Sequence, residues 1–530
     1  MTHLGPHPRA DKELEDLLRR ATTAHRQGRL LQAELLYEQV LDGAREHASA
    51  HHLLGVLKFQ RGEVAEALAH FDRALHAAPR FTDAHNSLGN ALLATRKPAE
   101  ALASFERGLH YDPRNADLLC GRGAALQALG RHFEAVESLK HAQLRGARGA
   151  SVAIDLGVSL RALGHEQEAL ECFERALALE PGSAPALSNR GNALAALGRL
   201  DEAIASHRRA VEQAPADAQA RLNLALAELA AGDWERGWRS YAGRDLDRDA
   251  EGRRREFAQP LWRGDGDVRG RTVLLHAEQG FGDTLMFARY VPLLAARGAR
   301  VLLEVQPRLK ALMRDTRGAT QIAARGEPLP AFDLHCPLPD LPLAFGTTPD
   351  RVPPPLSMTP PAEVAARWVQ RLAPLPRPRV GIVWGGNPAF ARDRSRSIDL
   401  ERMAALLPEV GAQFVSLQKE VSDADRAVLA HHGIPHTGPE QRDFGDAAAL
   451  VAQMDAVVSV DTAVAHLAGN MAKPVFLLLA SAPDWRWMRG RDDCVWYPRH
   501  RLYRQPGSGK GGWDEPLRRV AAALREAVRT

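Results

Sequence analysis

The feature that most constrains this chain is a self-similarity of period 34 through its first half. "GEVAEALAHFDRALHAAP" opens at Gly62, "GHEQEALECFERALALEP" at Gly164 and "GRLDEAIASHRRAVEQAP" at Gly198. The register places Gly28, Gly62, Gly130, Gly164, Gly198 and Gly232 at equivalent positions, with Arg96 the one exception. Five residues on, a small residue recurs at Ala33, Ala67, Ala101, Ala135, Ala169, Ala203 and Gly237. An earlier glycine recurs at Gly55, Gly89, Gly123, Gly157 and Gly191, and proline closes units at Pro79, Pro113, Pro181 and Pro215. A repeat of this length is one supersecondary unit that buries its apolar face only by stacking on its neighbours. The spacing predicts a helix pair: small residues let two helices approach, glycine relieves the turn between them, and proline ends the second. Phe71, Phe105 and Phe173 are expected to fill the space between units.

This pattern resembles the tetratricopeptide repeat, with seven units over residues 14–251. The resemblance implies a right-handed superhelix whose concave groove holds peptides or partner proteins. Asn86, Asn90, Asn189, Asn192 and Asn223 fall on the first helices of their units. Asn86 and Asn90 are four apart and share a helix face. An asparagine amide can bond a peptide backbone whatever its side chains. This partial ladder resembles that of the repeat-bearing protein O-GlcNAc transferases; a solvated helix surface is the plain alternative.

After about residue 255 the periodicity changes. "RTVLLHAEQGFGDTLMFARYVPLLAARGARVLLEV" reads as strand (272–276), glycine turn, helix and strand (301–305), a βαβ unit of a parallel sheet. Prolines cluster at residues 353–361 and 374–378 around a short helix at 363–371, as a linker and hinge would. A second α/β set follows, from "RVGIVWGG" through "QFVSLQKE" and "AVVSV" to "PVFLLLA". The predicted class is therefore α + α/β: a repeat superhelix at 14–251, then Rossmann-like lobes at 252–375 and 376–530, with ligand in the cleft between the lobes.

Composition excludes some functions. The net charge of +4 on 530 residues gives no case for nucleic acid or an anionic membrane. Only eight of the 69 basic residues are lysine, so a lone arginine is no phosphate signal. The four cysteines form no CxxC pair, so neither a zinc site nor a disulfide framework is expected. No stretch approaches the roughly 20 apolar residues that span a bilayer. The expectation is a cytoplasmic chain with no transmembrane segment.

Three stretches carry candidate chemistry. In "AEQGFGDTLMFARY", Gly280 and Gly282 let the backbone approach a ligand, and Asp283 is either a helix cap or a carboxylate base. Leu285 stands where the dinucleotide fingerprint needs a small residue, which argues against a dehydrogenase. In "WGGNPAFARDRSRSIDL", Gly385 and Asn387 lie in a tight loop, and Arg394 and Arg396 could clamp a diphosphate or be solvated. In "VVSVDTAVAHLAGNMAKPV", Asp461 ends a strand, and the N–H groups of Thr462 and Ala463 open a helix as an anion site. His466 follows one turn later. The plain alternative makes Asp461 a helix cap and His466 a buried core histidine. "QPGSGKGG" lacks the Walker spacing, and "GDGD" at 264–267 reads as a turn.

Together, "GFGD", "VGIVWGGN…RSRSI" and "VDTAVAHLAGNMAKPV" resemble the ADP-heptose:lipopolysaccharide heptosyltransferase family (glycosyltransferase family 9), over residues 271 to about 525. The resemblance implies a GT-B fold and an inverting, metal-independent transferase with no cofactor beyond its nucleotide-sugar donor. It makes Asp283 the general base, places Asp461, Thr462, Ala463 and His466 at the donor diphosphate, and puts Arg396 near the phosphates. Gln418, Lys419 and Glu420 then end a strand by the nucleoside, with Glu420 as the acid that contacts it. The repeats imply a protein acceptor; a saccharide acceptor, or an adaptor with inactive lobes, are the alternatives.

Overall fold

The computed structural model describes residues 8–244, 255–386, 396–405, 410–506 and 510–527. It divides into two compact units, Met1–Ala193 and Leu194–Thr530.

The first unit is all helical. Its pairs are α1 (Pro8–Arg26) with α2 (Leu30–Gly43), α3 (Ala48–Gln60) with α4 (Val64–Ala77), α5 (Thr82–Ala94) with α6 (Pro98–Tyr111), α7 (Ala116–Ala128) with α8 (His132–Leu144), and α9 (Ala150–Ala162) with α10 (Glu166–Leu179). The turn inside each pair needs one left-handed residue, and the register glycines supply it, from 73° at Gly28 to 85° at Gly164. Arg96 adopts the same conformation at φ 60° without being glycine. Ala33, Ala67, Ala101, Ala135 and Ala169 are fully buried where the paired helices touch. Phe105 shows why the other glycine recurs. A Cβ would lie 2.4 Å from its ring at Gly89, in its own unit, and 2.2 Å from it at Gly121, in the next. The ring fills the space between units as the spacing predicts.

Helix α11 (Ala184–Ala196) spans the division, and the second unit opens with α12 (Leu200–Gln213), α13 (Ala218–Ala231) and α14 (Trp234–Tyr241). Two parallel sheets follow. The first holds β1 (Thr272–His276), β2 (Arg300–Val305), β3 (Ala319–Ala324) and β4 (Leu334–Pro337) in the order β3-β2-β1-β4. The second holds β5 (Arg379–Val383), β6 (Gln413–Ser416), β7 (Ala456–Val460), β8 (Val475–Leu479) and β9 (His500–Arg504) in the order β6-β5-β7-β8-β9. Strands β5, β7 and β8 are buried at every residue, as strands covered on both faces are. In each sheet the chain steps outward from its first strand and then returns to that strand's other side. Open parallel sheets bind ligands at the carboxyl ends of the strands where this reversal occurs. Here those ends belong to β1 and to the β5/β7 pair.

One apolar cluster runs from the last repeat through the first sheet to one face of the second, joining Ala225, Trp234 and Trp238 to Val273, Leu303, Val457 and Leu477. The other face of the second sheet has a cluster of its own around Val458, Phe476 and Leu524. Trp234 stacks on Trp496 with ring centres 4.9 Å apart, and Trp238 meets Trp485 edge-on at 5.2 Å. Behind them Arg244 is buried between two carboxylates. Its Nε and Nη2 donate to Glu278 at 2.8 and 2.6 Å, and its Nη1 reaches Asp340. The repeat register and the packing therefore part the chain at different places, since α13 and α14 belong to the register but are packed with the sheets.

Two consequences are measurable. Arg96→Gly removes a left-handed strain that exceeds the added freedom of the unfolded chain, so stability rises by about 0.5–1 kcal/mol in denaturant titrations. Loss of a buried Trp or Phe side chain costs about 3–5 kcal/mol. The fragment 252–530, which lacks Trp234, Trp238, Tyr241 and Arg244, is therefore expected to show no cooperative melt by circular dichroism, while 194–530 retains one.

Candidate active site

Strand β1 delivers the first element of the site. Beyond His276 the chain runs through Glu278, Gln279 and Gly280 into a helix at Phe281–Phe287. Gly280 is its cap residue, and Asp283, at the third helical position, turns back so that Oδ2 accepts the Gly280 N–H at 3.0 Å. Asp283 thus caps the helix, though not from the cap position. Its other oxygen, Oδ1, pairs with the Arg486 guanidinium.

Strand β7 delivers the second element. Asp461 follows Val460, and the helix Ala463–Asn470 begins two residues later. The expectation that a structural Asp461 would cap this helix is not met. An extra extended residue, Thr462 (φ −143°, ψ 167°), occupies the cap position, and its side chain makes no cap hydrogen bond. The Thr462 hydroxyl pairs instead with Ser459, at 3.1 Å. The helix start therefore keeps outward N–H groups and their partial positive charge.

The two helix starts meet. A Cβ on Gly282 would lie 2.8 Å from His466 Cδ2 and 3.7 Å from Ala463 Cα, so the glycine is what lets "GFGD" close on "DTAVAH". Asn470 Nδ2 fastens the contact by donating to the Leu285 carbonyl at 2.8 Å. His466 is buried, with Nδ1 3.1 Å from the Tyr497 hydroxyl and its ring stacked on Trp487 at 5.3 Å. Burial, with Arg486, His500 and Arg289 adding to it, holds the imidazole far below its ordinary pKa. His466 is neutral at physiological pH and serves as a rigid wall behind Gly282.

A third element went unseen in the sequence. After β8, the turn Asp484–Trp487 carries Arg486 into the site. Asp484 accepts the Arg486 backbone N–H at 3.1 Å and its Nη1 at 2.6 Å, and the guanidinium lies over the Trp485 ring at 4.5 Å. Burial alone would push this guanidinium down; Asp283, Asp484, Tyr241 and Asp461 around it raise its pKa instead, so its charge is permanent. Burial lifts the Asp461 carboxyl to about 6, with Asp484 adding to the rise while Trp487, Arg486 and Arg396 oppose it. The Trp487 indole N–H turns toward that carboxyl without closing a hydrogen bond. The signal available in the sequence was a charged pair alternating with two tryptophans, "DWRW", just past the carboxyl end of a buried strand.

The arginine loop is partly visible. Arg396 Nη1 donates to the Asp461 carbonyl at 2.8 Å, which brings the loop's end to the helix start. The Gly385 N–H points at Gln418 Oε1, 3.4 Å away, while Asn387 and Arg394 lie outside the described residues. Gln418 and Lys419 are half-buried and Glu420 is exposed. All three lie beyond β6, which ends at Ser416 and not at 420. Gly438 crowds the chain there, since a Cβ on it would fall 2.1 Å from the Lys419 carbonyl oxygen. The last repeat reaches the site through Tyr241, whose hydroxyl accepts Gln279 Nε2 at 2.6 Å and whose pKa burial raises to about 12.

The asparagines do not share one register. Asn189 and Asn223 alone are one period apart, and Cys120 and Ala124 follow Asn86 and Asn90. Asn189 donates to its own helix at Pro185 (3.0 Å), and Asn223 accepts from Gln219 (2.9 Å). Asn86 and Asn192 are half-buried and Asn90 is exposed. Among the described residues, no group of three or more histidine, cysteine or acidic side chains could hold a metal ion, and no helix is long and apolar enough to cross a membrane.

Comparison with known proteins agrees on the repeats. A tetratricopeptide-repeat family model matches residues 18–80, 86–150 and 154–218, so this part of the chain is made of such repeats. Protein FlbA of Caulobacter vibrioides is 28% identical over 323 residues, which are 56% of this chain and 53% of that protein. The chain thus spans about half the length of this curated relative. Among solved structures, TTC0263 of Thermus thermophilus, a thermophilic repeat protein, is 28% identical over 34% of this chain and 99% of its own, with a TM-score of 0.30. YrrB is 24% identical over 35% of this chain and 95% of its own, with the same TM-score of 0.30.

The raised Asp461 gives a pH test. A carboxyl whose folded pKa exceeds its unfolded value of 3.8 costs stability as pH rises from about 4 through about 6. Asp461→Asn removes that cost. We expect a gain of roughly 2–3 kcal/mol in urea unfolding at pH 7.5 that disappears at pH 4.

Proposed function

We propose that this chain is a GT-B glycosyltransferase that moves a sugar from a nucleotide-sugar donor to an acceptor hydroxyl, with inversion and without a metal ion. One observation carries the reading. Asp283 pairs with the largely enclosed Arg486, and its neighbour Gly282 closes on the helix start at Ala463, at the carboxyl ends of β1 and β7, where both parallel sheets reverse their strand order. The resemblance of "GFGD" and "VDTAVAHLAGN" to the heptosyltransferase family supports it by giving the same residues the roles of base and donor site.

The chemistry follows from the groups present. The acceptor oxygen attacks the anomeric carbon and Asp283 takes its proton. The bond from that carbon to the diphosphate breaks, and the nucleoside diphosphate leaves with the electron pair. The N–H groups of Thr462 and Ala463, with Arg396 held at the Asp461 carbonyl, oppose the negative charge that grows on the leaving group. The neutral His466 and the Trp487 ring make the wall behind them apolar, which strengthens these interactions and keeps out the water that would hydrolyse the donor. The repeats supply a surface for a protein acceptor, which a sugar-lipid acceptor does not need.

The test uses the full chain with ADP-, UDP-, GDP- and CDP-sugars. A donor at a hundredfold excess over its Kd should stabilise the fold by about 2.7 kcal/mol, a clear rise in melting temperature. Asp283→Asn should keep that rise and lose sugar transfer by a factor of 100 or more, on the order expected for a missing general base. A folded chain whose melt none of the four donors moves would favour the adaptor reading.

A further inference from the structure

The ion pair between Asp283 and Arg486 joins the two sheet systems of the site. Asp283 stands on the helix after β1, and Arg486 on the turn after β8. Both side chains are largely enclosed, at 16% and 11% exposure. The guanidinium is divided, with Nη1 on Asp484 and Nη2 on Asp283, while Asp461 sits in its field. Asp283 is fully engaged too, with Oδ2 on the Gly280 N–H and Oδ1 on Arg486. The oxygen that would meet an acceptor hydroxyl is thus occupied by the nearest cation. The start of the Ala463–Asn470 helix, which would take the donor's anionic group, closes on Gly282, the neighbour of Asp283, where a Cβ would fall 3.7 Å from Ala463 Cα. Two anions, one fixed and one arriving, compete for a single arginine.

We propose that Arg486 is a positioning residue that changes partners. Until a donor binds, it holds Asp283. When a nucleoside diphosphate group occupies the start of the Ala463–Asn470 helix, Arg486 turns to the phosphate oxygens and releases Asp283 Oδ1 toward the acceptor. This rests on the transferase reading above. The step balances: the acceptor proton passes to Asp283, the acceptor oxygen bonds to the anomeric carbon, and the leaving diphosphate takes the electron pair and is met by Arg486. The arrangement imposes an order, because Asp283 is withheld from any hydroxyl, water included, until a donor is bound.

Competition leaves a signature that a purely structural ion pair does not. Isothermal titration of ADP, UDP, GDP and CDP into the full chain reads it. Asp283→Asn keeps the side chain's size and its acceptor for Gly280 but drops the charge that rivals the ligand. It should bind the preferred diphosphate about tenfold more tightly than the native chain, although transfer is lost. Arg486→Gln should bind it at least tenfold more weakly, and Arg486→Lys should recover part of that loss. If Asp283→Asn binds the diphosphate no more tightly than the native chain does, the exchange of partners is wrong while the transferase reading stands. If the folded native chain binds none of the four diphosphates, both fall. The Asp283→Asn comparison decides the matter even where an Arg486 variant fails to fold.

Discussion

Arg244 sits between Glu278 and Asp340 with all three side chains at or below 3% exposure, and much of the second unit is arranged around that contact. Taking a guanidinium and two carboxylates out of water is expensive, and only good geometry and complete hydrogen bonding offset it. Both are present: a bidentate grip on Glu278, a bond to Asp340, a second arginine, Arg263, on the other Asp340 oxygen at 2.8 Å, and the Tyr241 ring under the guanidinium at 4.4 Å. Glu278 is two residues beyond β1 and two before Gly280. The turn that aims Asp283 is therefore held from behind by an arginine three residues beyond the last repeat helix.

The front of the site is less settled electrostatically. Asp283, Asp484 and Asp461 surround Arg486, and Asp461 ionises only against its surroundings. A fold optimised for stability would remove one of these carboxylates, or would give the Trp487 N–H a partner in hydrogen-bonding range. Local arrangements of this kind, expensive for the fold, are where function is usually found.

Much of the architecture was legible because backbone geometry leaves sequence few options there. The left-handed turns demand glycine and nearly all have it; Arg96 is visible as the exception and bends the same way. Strands β1, β2, β5, β7 and β8 announce themselves as short apolar runs. Strands β3, β4 and β9 did not, because polar residues interrupt them: Gln321 in β3, His335 in β4 and Arg501 in β9. In the site, Asp283 and Asp461 stood out as charges at the ends of apolar elements. Arg486 did not, in a chain so rich in arginine, and its partner lies 203 residues away, a pairing that local pattern cannot encode. Asp461 was open to misreading as a cap because one additional extended residue cannot be read from a strand-to-helix sequence.

The tryptophans of the last repeat also bear on how such a chain can change over generations. Recombination readily adds or removes whole helical pairs in a repeat array, because each pair contacts only its neighbours. Within the first unit a duplication meets that condition. Between Ala218 and Tyr241 it does not: Trp234 and Trp238 are built into the apolar core of the sheets, and a shifted or duplicated pair there would put a small residue where an indole is required. The final repeat is thereby inherited with the sheets, and the repeats of the first unit are the ones free to vary in number.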